Sequence, residues 1–315
     1  MSDDTLIVCE DVSRFYGEVL GVNDVTLQIE PGVTALVGPN GAGKTTLLNL
    51  LTGLIRPTRG RLRVLGLPTS EPERLFRVVG YCTQFDTFPP RCTGLGFLRD
   101  WLALHGLSGR ETLSFAGEAL ERVGLGDAGG RKVAAYSKGM RQRLRLAQAI
   151  SHRPRVLVLD EPLNGLDPMA RAETLALFDA LGRQGLHVIV SSHILHEVDR
   201  LAARVILLSG GYVVAEGEIA GVRSEVTEHP VQMLVRCRQP NRLASRLFAC
   251  DHVVEAKLHA DGGGVLVRTR DAGAFHRALN RIVVEDGLDV EAVAPADDDV
   301  LSLYRYLIGA EGESA

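Results

Sequence analysis

The feature that most constrains the fold is a glycine-rich loop between a short apolar run and a helical pattern. The preceding run, Val33–Val37, is short and apolar, as expected of a buried strand, and residues 45–51 have helical spacing. We therefore predict a strand, a tight loop and a helix in that order. The loop consists of Gly38, Pro39, Asn40, Gly41, Ala42, Gly43, Lys44, Thr45 and Thr46.

This loop is typical of a phosphate site. Several of its N–H groups would point inward at phosphate oxygens, and the following helix presents its positive end to the same place. Lys44 would reach the β- and γ-phosphates, and Thr45 would be a ligand of Mg²⁺. The alternative is a glycine-rich turn that happens to contain a lysine, and the strand–loop–helix context disfavours it. The loop therefore predicts binding of a nucleoside triphosphate.

Two adjacent carboxylates follow a second apolar run. Val156–Leu159 predicts a strand that ends at Asp160 and Glu161. At the carboxyl edge of a parallel sheet, beside the phosphate loop, Asp160 would hold Mg²⁺ through its water shell. Glu161 would then accept a proton from the water that attacks the γ-phosphate. An ordinary acidic turn is the alternative, which the presence of the phosphate loop makes a poor explanation.

Between these two motifs lies a third, Tyr-Ser-Lys-Gly-Met-Arg-Gln-Arg at 136–143, which opens a helix predicted over 141–151. Ser137 is a good N-terminal capping residue, and the free N–H groups near it form a second anion site. A serine and a glycine at a helix start are weak evidence alone. Their place some twenty residues before Asp160 makes them specific.

With these motifs, residues 5–220 resemble the ATP-binding subunit of an ABC transporter. In that family the 136–143 segment is the signature motif, which lies against the γ-phosphate of ATP bound to the other subunit of a head-to-tail dimer. The resemblance implies that Ser137 and Gly139 make this contact in trans and that two ATP molecules are enclosed between subunits. It also implies an ATPase that drives a separate integral membrane permease.

Four further positions match the family one at a time. Tyr16 matches the aromatic residue that stacks on adenine, with a half-buried strand tyrosine as the alternative. Gln84 matches the glutamine that senses Mg²⁺ and the attacking water. Asp167 ends a loop, Asn-Gly-Leu-Asp, that crosses the dimer interface in the family, and His193 matches the histidine that contacts the γ-phosphate. The catalytic set is thus Glu161, His193 and Gln84, and the metal set is Thr45, Gln84 and Asp160.

The signature motif departs from the commonest family version, because Lys138 and Met140 replace a glycine and a glutamine. The Ser-Lys-Gly-Met version is familiar among exporter ATPases of the ABC-2 class. Residues 92–98 depart further, which leaves open how the surface toward the membrane subunit is built. We expect the helical insert to form that surface, with Phe85, Phe88, Phe97 and Trp101 as candidates and burial in the core as the alternative for Phe97 and Trp101.

The fold class predicted is α/β, with a P-loop ATPase core, an antiparallel β subdomain and a helical insert at about 86–150. The ATPase domain is expected over 1–225, with a helix over 194–202 among its elements. The remainder, 226–315, predicts the order βαββαβ and hence a small α+β domain of ferredoxin-like type. As in the ABC-2 class, its tail predicts an acidic-then-apolar helix over 297–307, whose apolar stripe packs on its own domain or, less favourably, on a partner.

Composition limits the partners and the compartment. The net charge of −4 disfavours a dominant nucleic-acid surface. Five dispersed cysteines form no C-x-x-C pair, which indicates free thiols in a reducing compartment. The acidic start lacks the pattern of a signal peptide, and no run of 18 apolar residues predicts a membrane span. We expect a protein at the cytoplasmic face of the membrane, peripheral through its partner.

Other functions fit less well. A non-transport ATPase of the same class, acting as a clamp on ribosomes or DNA, is the runner-up, but one ATPase module without sustained heptads disfavours it. A GTPase lacks its guanine motif, because the four lysines of the chain form no Asn-Lys-x-Asp. A metal cluster of His193, His196, Glu197 and Asp199 has no common ligand spacing. Neither the transported substrate nor the choice between homodimer and heterodimer follows from the sequence.

Overall fold

The computed structural model of the chain describes residues 5–84, 87–193, 201–218, 231–259 and 261–295. The chain divides into two compact units, and the division falls between Glu216 and Gly217. The domain assignments 1–225 and 226–315 remain predictions. The first unit contains β1 (Ile7–Tyr16), β2 (Val19–Ile29), β3 (Val33–Val37), α1 (Lys44–Leu51), β4 (Arg59–Val64), β5 (Leu67–Pro68), α2 (Pro72–Leu75), β6 (Val79–Cys82), α3 (Gly94–Leu104), α4 (Arg110–Arg122), α5 (Lys138–Ser151), β7 (Val156–Leu159), α6 (Pro168–Arg183), β8 (His187–Ser192), β9 (Arg204–Ser209) and β10 (Tyr212–Glu218).

A six-stranded sheet of order β10-β9-β3-β8-β7-β6 forms the centre of the first unit. Four of its strand pairs, β9 with β3, β3 with β8, β8 with β7 and β7 with β6, are parallel, as expected of the α/β fold predicted from the sequence. Every residue of β7 is buried, because a parallel sheet is covered on both faces. The carboxyl ends of β3, β7 and β8 therefore open on the same edge.

A second sheet, of order β2-β1-β4-β5, is antiparallel and corresponds to the antiparallel β subdomain that was predicted. Over Val25 to Ile29 buried and exposed residues alternate strictly, as one covered face requires. The buried side chains of this sheet share one apolar core with α1 and with the parallel sheet. This shared core fixes β1 and β2 beside the phosphate loop.

Three helices, α3, α4 and α5, lie in the segment predicted as a helical insert. The start of α5 was predicted wrongly, because the helix begins at Lys138 and not at residue 141. Ser137 caps it, with its hydroxyl accepting a hydrogen bond from the N–H of Met140 at 3.2 Å. Phe97 and Trp101 are half-buried, so neither is a core residue.

Two points of the prediction concern the end of the first unit, and only one of them is fully tested by the described residues. Strand β10, which follows β9 after the turn at Gly210 and Gly211, was not predicted. The helix expected over 194–202 falls mostly on 194–200, which lie outside the described residues, and residues 201–202 are not helical. The helix expected over 297–307 also lies outside them.

The second unit has the element order βαββαβ. Its four strands form an antiparallel sheet of order β12-β13-β11-β14. Leu243, Leu247, Phe275 and Leu279 of its two helices share one apolar core with the sheet, so both helices cover the same face. The elements are β11 (Val231–Cys237), α7 (Pro240–Phe248), β12 (Val253–Leu258), β13 (Gly264–Thr269), α8 (Ala272–Asp286) and β14 (Val290–Pro295).

All five cysteines are free thiols. Two of them, Cys9 and Cys82, are fully buried in the first unit. Burial raises the pKa of the Cys9 thiol and of the Cys82 thiol to about 12, since an apolar surrounding disfavours the thiolate. These two thiols are therefore packing residues.

Candidate functional site

The glycine-rich loop connects β3 to α1, as predicted. Gly41 and Gly43 have φ values of 82° and 101°, a region that residues with a side chain rarely adopt. A Cβ on Gly38 would collide with the carbonyl oxygen of Leu208, and one on Gly43 would collide with that of Gly21. The loop is thus pressed between β9 and β2, where only glycine fits.

Lys44, at the start of α1, is only 6% exposed. Its Nζ donates hydrogen bonds to the carbonyl oxygens of Gly38 at 2.6 Å and Pro39 at 3.1 Å. The same Nζ lies 3.2 Å from Oε1 of Glu161, which is 8% exposed. The structure therefore holds a buried ammonium inside the loop and pairs it with the carboxylate that follows β7.

Asp160 receives hydrogen bonds from two hydroxyl groups. Thr45 Oγ1 donates to Asp160 Oδ2 at 2.9 Å, and Ser191 Oγ donates to Asp160 Oδ1 at 2.8 Å. Burial raises the pKa of the Asp160 carboxyl, because it disfavours the charged form, while these two hydrogen bonds oppose that rise. The loop and the end of β7 are thus joined directly through Thr45.

Glu161 has a strained backbone, with φ of 47°. Its N–H donates to Ser191 Oγ at 2.8 Å, which holds the turn against β8. Its Oε2 lies 2.9 Å from Nδ1 of His193, which directly follows β8. Strain of this kind persists only where the surroundings fix it, and here Ser191, Lys44 and His193 do so.

Lys44, Thr45 and Glu161 line a cavity of about 320 Å³ in the first unit, whereas Asp160 and His193 contact these residues without lining it. Of the predicted site residues, it is lined by Tyr16, Asn40, Gly41, Gly43, Lys44, Thr45, Thr46, Gln84 and Glu161. Val19, Leu20 and Gly21 also line it and were not predicted. The only signal for these three in the sequence is their place in a strand next to Tyr16.

Ser191 is the other functional residue that the sequence did not predict. It is 1% exposed and links the backbone of Glu161 to the carboxylate of Asp160. A serine at the end of the apolar strand before His193 was the available signal, because a buried hydroxyl requires partners.

Ser137, Gly139 and Asp167 do not line this cavity in the described part of the chain. They lie near one another instead. A Cβ on Gly139 would lie 3.7 Å from Leu166, and one on Gly165 would collide with the end of the Lys138 side chain. Asp167 caps α6 through the N–H of Ala170 at 3.0 Å. The start of α5 thus packs on the 164–167 loop of the same chain.

The residues fit a magnesium ion shared with phosphates better than a metal held by protein alone. Thr45 and Asp160 offer hard oxygen ligands, 2.9 Å apart, beside the phosphate loop. Among the described residues no group of three or more His, Cys, Asp or Glu side chains could hold a metal. Of the alternative metal cluster, only His193 is described, and it contacts Glu161.

Comparison with known proteins places this geometry in a family. The family model described as "ABC transporter" matches residues 22–164. The chain is 35% identical to the daunorubicin resistance ATP-binding protein DrrA3 of Streptomyces coeruleorubidus, over 97% of this chain and 96% of that protein. It is 28% identical to the bacitracin transport ATP-binding protein BcrA of Bacillus licheniformis, over 97% of this chain and 98% of that protein.

Among solved structures, the chain resembles the dimeric post-hydrolysis state of the ATP-binding cassette MJ0796 bound to ADP and Pi. The identity is 25% and the TM-score 0.62, over 68% of this chain and 99% of that one. In the described residues no helix has the length and apolar character needed to cross a bilayer. The alternative role on ribosomes or DNA finds no support among these relatives. The chain belongs to the ABC transporter family, as one of its ATP-binding, ATP-hydrolysing proteins.

Proposed function

We propose that two ATPase units, from two copies of this chain or from one copy and a related subunit, close head-to-tail around two ATP molecules. One observation carries this proposal. Ser137 and Gly139 do not line the cavity that Lys44 and Glu161 line. Each chain therefore carries the two halves of a phosphate site at two separate places on its surface. A second subunit would bring the two halves together.

In each site the loop of the first subunit would bind the phosphates. Asn40, Gly41 and residues 43–46, which include the start of α1, line the cavity and would offer their N–H groups to the phosphates. Tyr16, which also lines the cavity, would stack on adenine. Ser137 and Gly139 of the second subunit would cover the γ-phosphate, and Asp167 would lie at the interface.

Magnesium would be held by Thr45 and Asp160, with Gln84 on the side of the attacking water. The hydrogen bond between Thr45 and Asp160 supports this proposal, because it brings both oxygens to the loop. When bound, the ion would neutralise charge on the β- and γ-phosphates. Its positive charge would also offset the cost of burying the Asp160 carboxylate.

Glu161 would accept the proton of the attacking water. Its carboxylate is held from two sides, by Nδ1 of His193 at 2.9 Å and by Nζ of Lys44 at 3.2 Å. These contacts fix the direction in which the carboxylate points, and positioning of this kind is most of what a protein contributes to phosphoryl transfer. His193, which is 35% exposed, would also reach the γ-phosphate.

The transport function proposed is export through a separate integral membrane permease, with this protein at the cytoplasmic face of the membrane. DrrA3 and BcrA, which match almost the whole chain, are named for drug resistance and antibiotic transport. The Ser-Lys-Gly-Met signature supports the same ABC-2 class. The permease and its substrate can be identified by purifying the chain from membranes with its bound partner.

We further propose that residues 1–225 form the ATPase domain and that 226–315 form an accessory domain of ferredoxin-like type. The support is the element order βαββαβ together with the sheet order β12-β13-β11-β14. Both helices on one face of the sheet agree with that fold.

Glu161→Gln tests the hydrolytic mechanism. The amide cannot accept the proton, so ATP hydrolysis should fall by about 10²–10⁴-fold while ATP binding is preserved. The variant should also elute as an ATP-dependent dimer on gel filtration, because its bound ATP is no longer cleaved. Hydrolysis is measured as phosphate release and binding by calorimetry.

Glu111→Gln is the matched control, since Glu111 is exposed in the first turn of α4. It should hydrolyse ATP like the wild type. Wild-type hydrolysis by the Glu161→Gln protein would show that Glu161 is not the base. A monomer that hydrolyses ATP at any concentration would show that the head-to-tail dimer is not required.

A further inference from the structure

Arg14 stacks on the ring of Tyr16. The two residues are two apart on β1, so their side chains lie on the same face of the strand. The guanidinium carbon of Arg14 lies 4.8 Å from the centroid of the Tyr16 ring, within the range of a cation–π interaction. Arg14 therefore covers one face of the aromatic side chain that lines the cavity.

The guanidinium is fixed by a hydrogen bond at its far end. Arg14 Nη1 donates to the carbonyl oxygen of Arg56 at 3.1 Å, in the loop that follows α1. Its Nε is buried and has no hydrogen-bond partner in the described part of the chain. A buried donor without a partner costs free energy, and the stacking on Tyr16 and the hydrogen bond to Arg56 offset that cost. Arg14 is thus held in a defined position above the ring.

The remaining sides of Tyr16 are defined by β2 and by the cavity. A Cβ on Gly21 would lie 2.9 Å from Cε2 of Tyr16 and 2.9 Å from Cγ2 of Thr46. Glycine at this position lets the ring edge rest on bare backbone beside α1. Tyr16 itself is 44% exposed and lines the cavity, whereas Arg14 does not line it. The cavity therefore reaches the Tyr16 ring, while Arg14 packs on that ring from outside the cavity.

We propose that Arg14 is a positioning residue for the base of ATP, which holds the Tyr16 ring in the orientation that adenine stacks on. This inference rests on the proposed function, because it takes the cavity as the ATP site. A tyrosine ring at an exposed strand end can rotate about two side-chain bonds, and ordering it on binding costs affinity. Arg14 orders the ring beforehand, with its cation on one face and adenine on the other.

The test compares two ligands that differ by the base, ATP and inorganic tripolyphosphate, on the full chain in EDTA so that neither is hydrolysed. Arg14→Gln removes the cation and keeps an amide that can donate to the carbonyl of Arg56. We expect ATP to bind about 3- to 10-fold more weakly, the scale of one cation–π contact, while tripolyphosphate binds as in the wild type. Arg14→Lys keeps a cation and should lie closer to the wild type.

A double-mutant cycle with Tyr16→Leu adds a second readout. Without the ring, Arg14→Gln should no longer change the affinity for ATP. Arg74→Gln is the control, because the guanidinium of Arg74 pairs with Glu71 and, among the described residues, contacts no ring. It should leave the binding of both ligands unchanged.

The outcomes separate this inference from the proposed function. If Arg14→Gln weakens both ligands equally, or weakens ATP as strongly in the Tyr16→Leu background, Arg14 acts on the fold and the inference is overturned. It is also overturned if ATP binds equally well to Arg14→Gln and to the wild type. If the wild type binds neither ligand, in EDTA or after Mg²⁺ is added back, the cavity is not the ATP site, and the proposed function fails first.

Discussion

Lowering the pH from 7 to 5 should destabilise the first unit, in large part through His152; burial also lowers the pKa of His105 and His187, which act in the same direction. This residue follows α5, and its ring stacks on that of His105 with centroids 4.2 Å apart. Its Nε2 lies 3.2 Å from the carbonyl oxygen of Val79, while its Nδ1 is buried and has no partner among the described residues. Burial, and then the neighbouring His105, lower the pKa of His152 to about 4.

The direction and the size of the change in unfolding free energy follow from the pKa values of His152 in the folded and unfolded chain. The pKa of His152 is about 4 in the folded chain and 6.5 for an exposed histidine. Its contribution to stability is therefore complete above pH 6.5 and is lost as the pH falls toward 4, because the unfolded chain binds a proton that the folded chain excludes. At pH 5 the loss relative to pH 7 amounts to about 2 kcal/mol of unfolding free energy.

Urea denaturation of the wild type and of His152→Gln at both pH values measures this term. The chain contains one tryptophan, Trp101, and its ring centroid lies 5.0 Å from that of His105, so its fluorescence reports unfolding of this region. His152→Gln should lose about 2 kcal/mol less than the wild type between pH 7 and 5. His276→Gln, at an exposed position of α8, should behave as the wild type. Equal losses in His152→Gln and the wild type would refute the reasoning.

Two further predictions concern groups around the site. Ser191→Ala removes a hydrogen bond to the Asp160 carboxylate and one from the backbone of Glu161, so it should cost about 2–5 kcal/mol of unfolding free energy. Ser151→Ala, which removes one neutral hydrogen bond, should cost about 1 kcal/mol in the same urea titration, and equal costs would contradict the assignment. Gly43→Ala meets both a positive φ and a backbone collision, whereas Gly41→Ala meets only the positive φ. Gly41→Ala should therefore cost about 1–2 kcal/mol of unfolding free energy, and Gly43→Ala should cost more. Thermal melts measure both costs, and a larger cost for Gly41→Ala than for Gly43→Ala would contradict this prediction.

The parts of the fold that follow from local chemistry could be predicted from the sequence. The loop before Lys44 requires glycines for its own conformation, and apolar runs such as Val156–Leu159 identify buried parallel strands without knowledge of their neighbours. The cap of α5 was recognised in Ser137, but the helix start was placed three residues late. Gly139 has a low helix propensity, and its packing against Leu166 is a tertiary contact that the sequence does not display.

Contacts between distant segments could not be predicted. Ser191 joins Asp160 to Glu161 only because β8 lies beside β7 in one particular register, with Leu159 opposite Val190. Arg14 contacts Tyr16 because of the orientation that the tyrosine ring adopts in the fold. The sequence shows only that the two residues are two apart on a strand, which does not predict whether their side chains stack. Strand β10 is an edge strand in which three residues are exposed, four are half-buried and none is fully buried, so it lacks the apolar run that identified the inner strands.

Helix α5 is also held by contacts at three points along its length. It has 14 residues, hence a length of about 21 Å. Its first turn rests on the loop that contains Leu166, its middle holds Phe88 under the guanidinium of Arg145 at 4.4 Å, and its end is attached to β6 through His152. Because its start, middle and end are all held, helix α5 resists tilting at one end alone. A push on the segment that contains Phe88 would therefore arrive at Ser137 as a displacement of the whole helix.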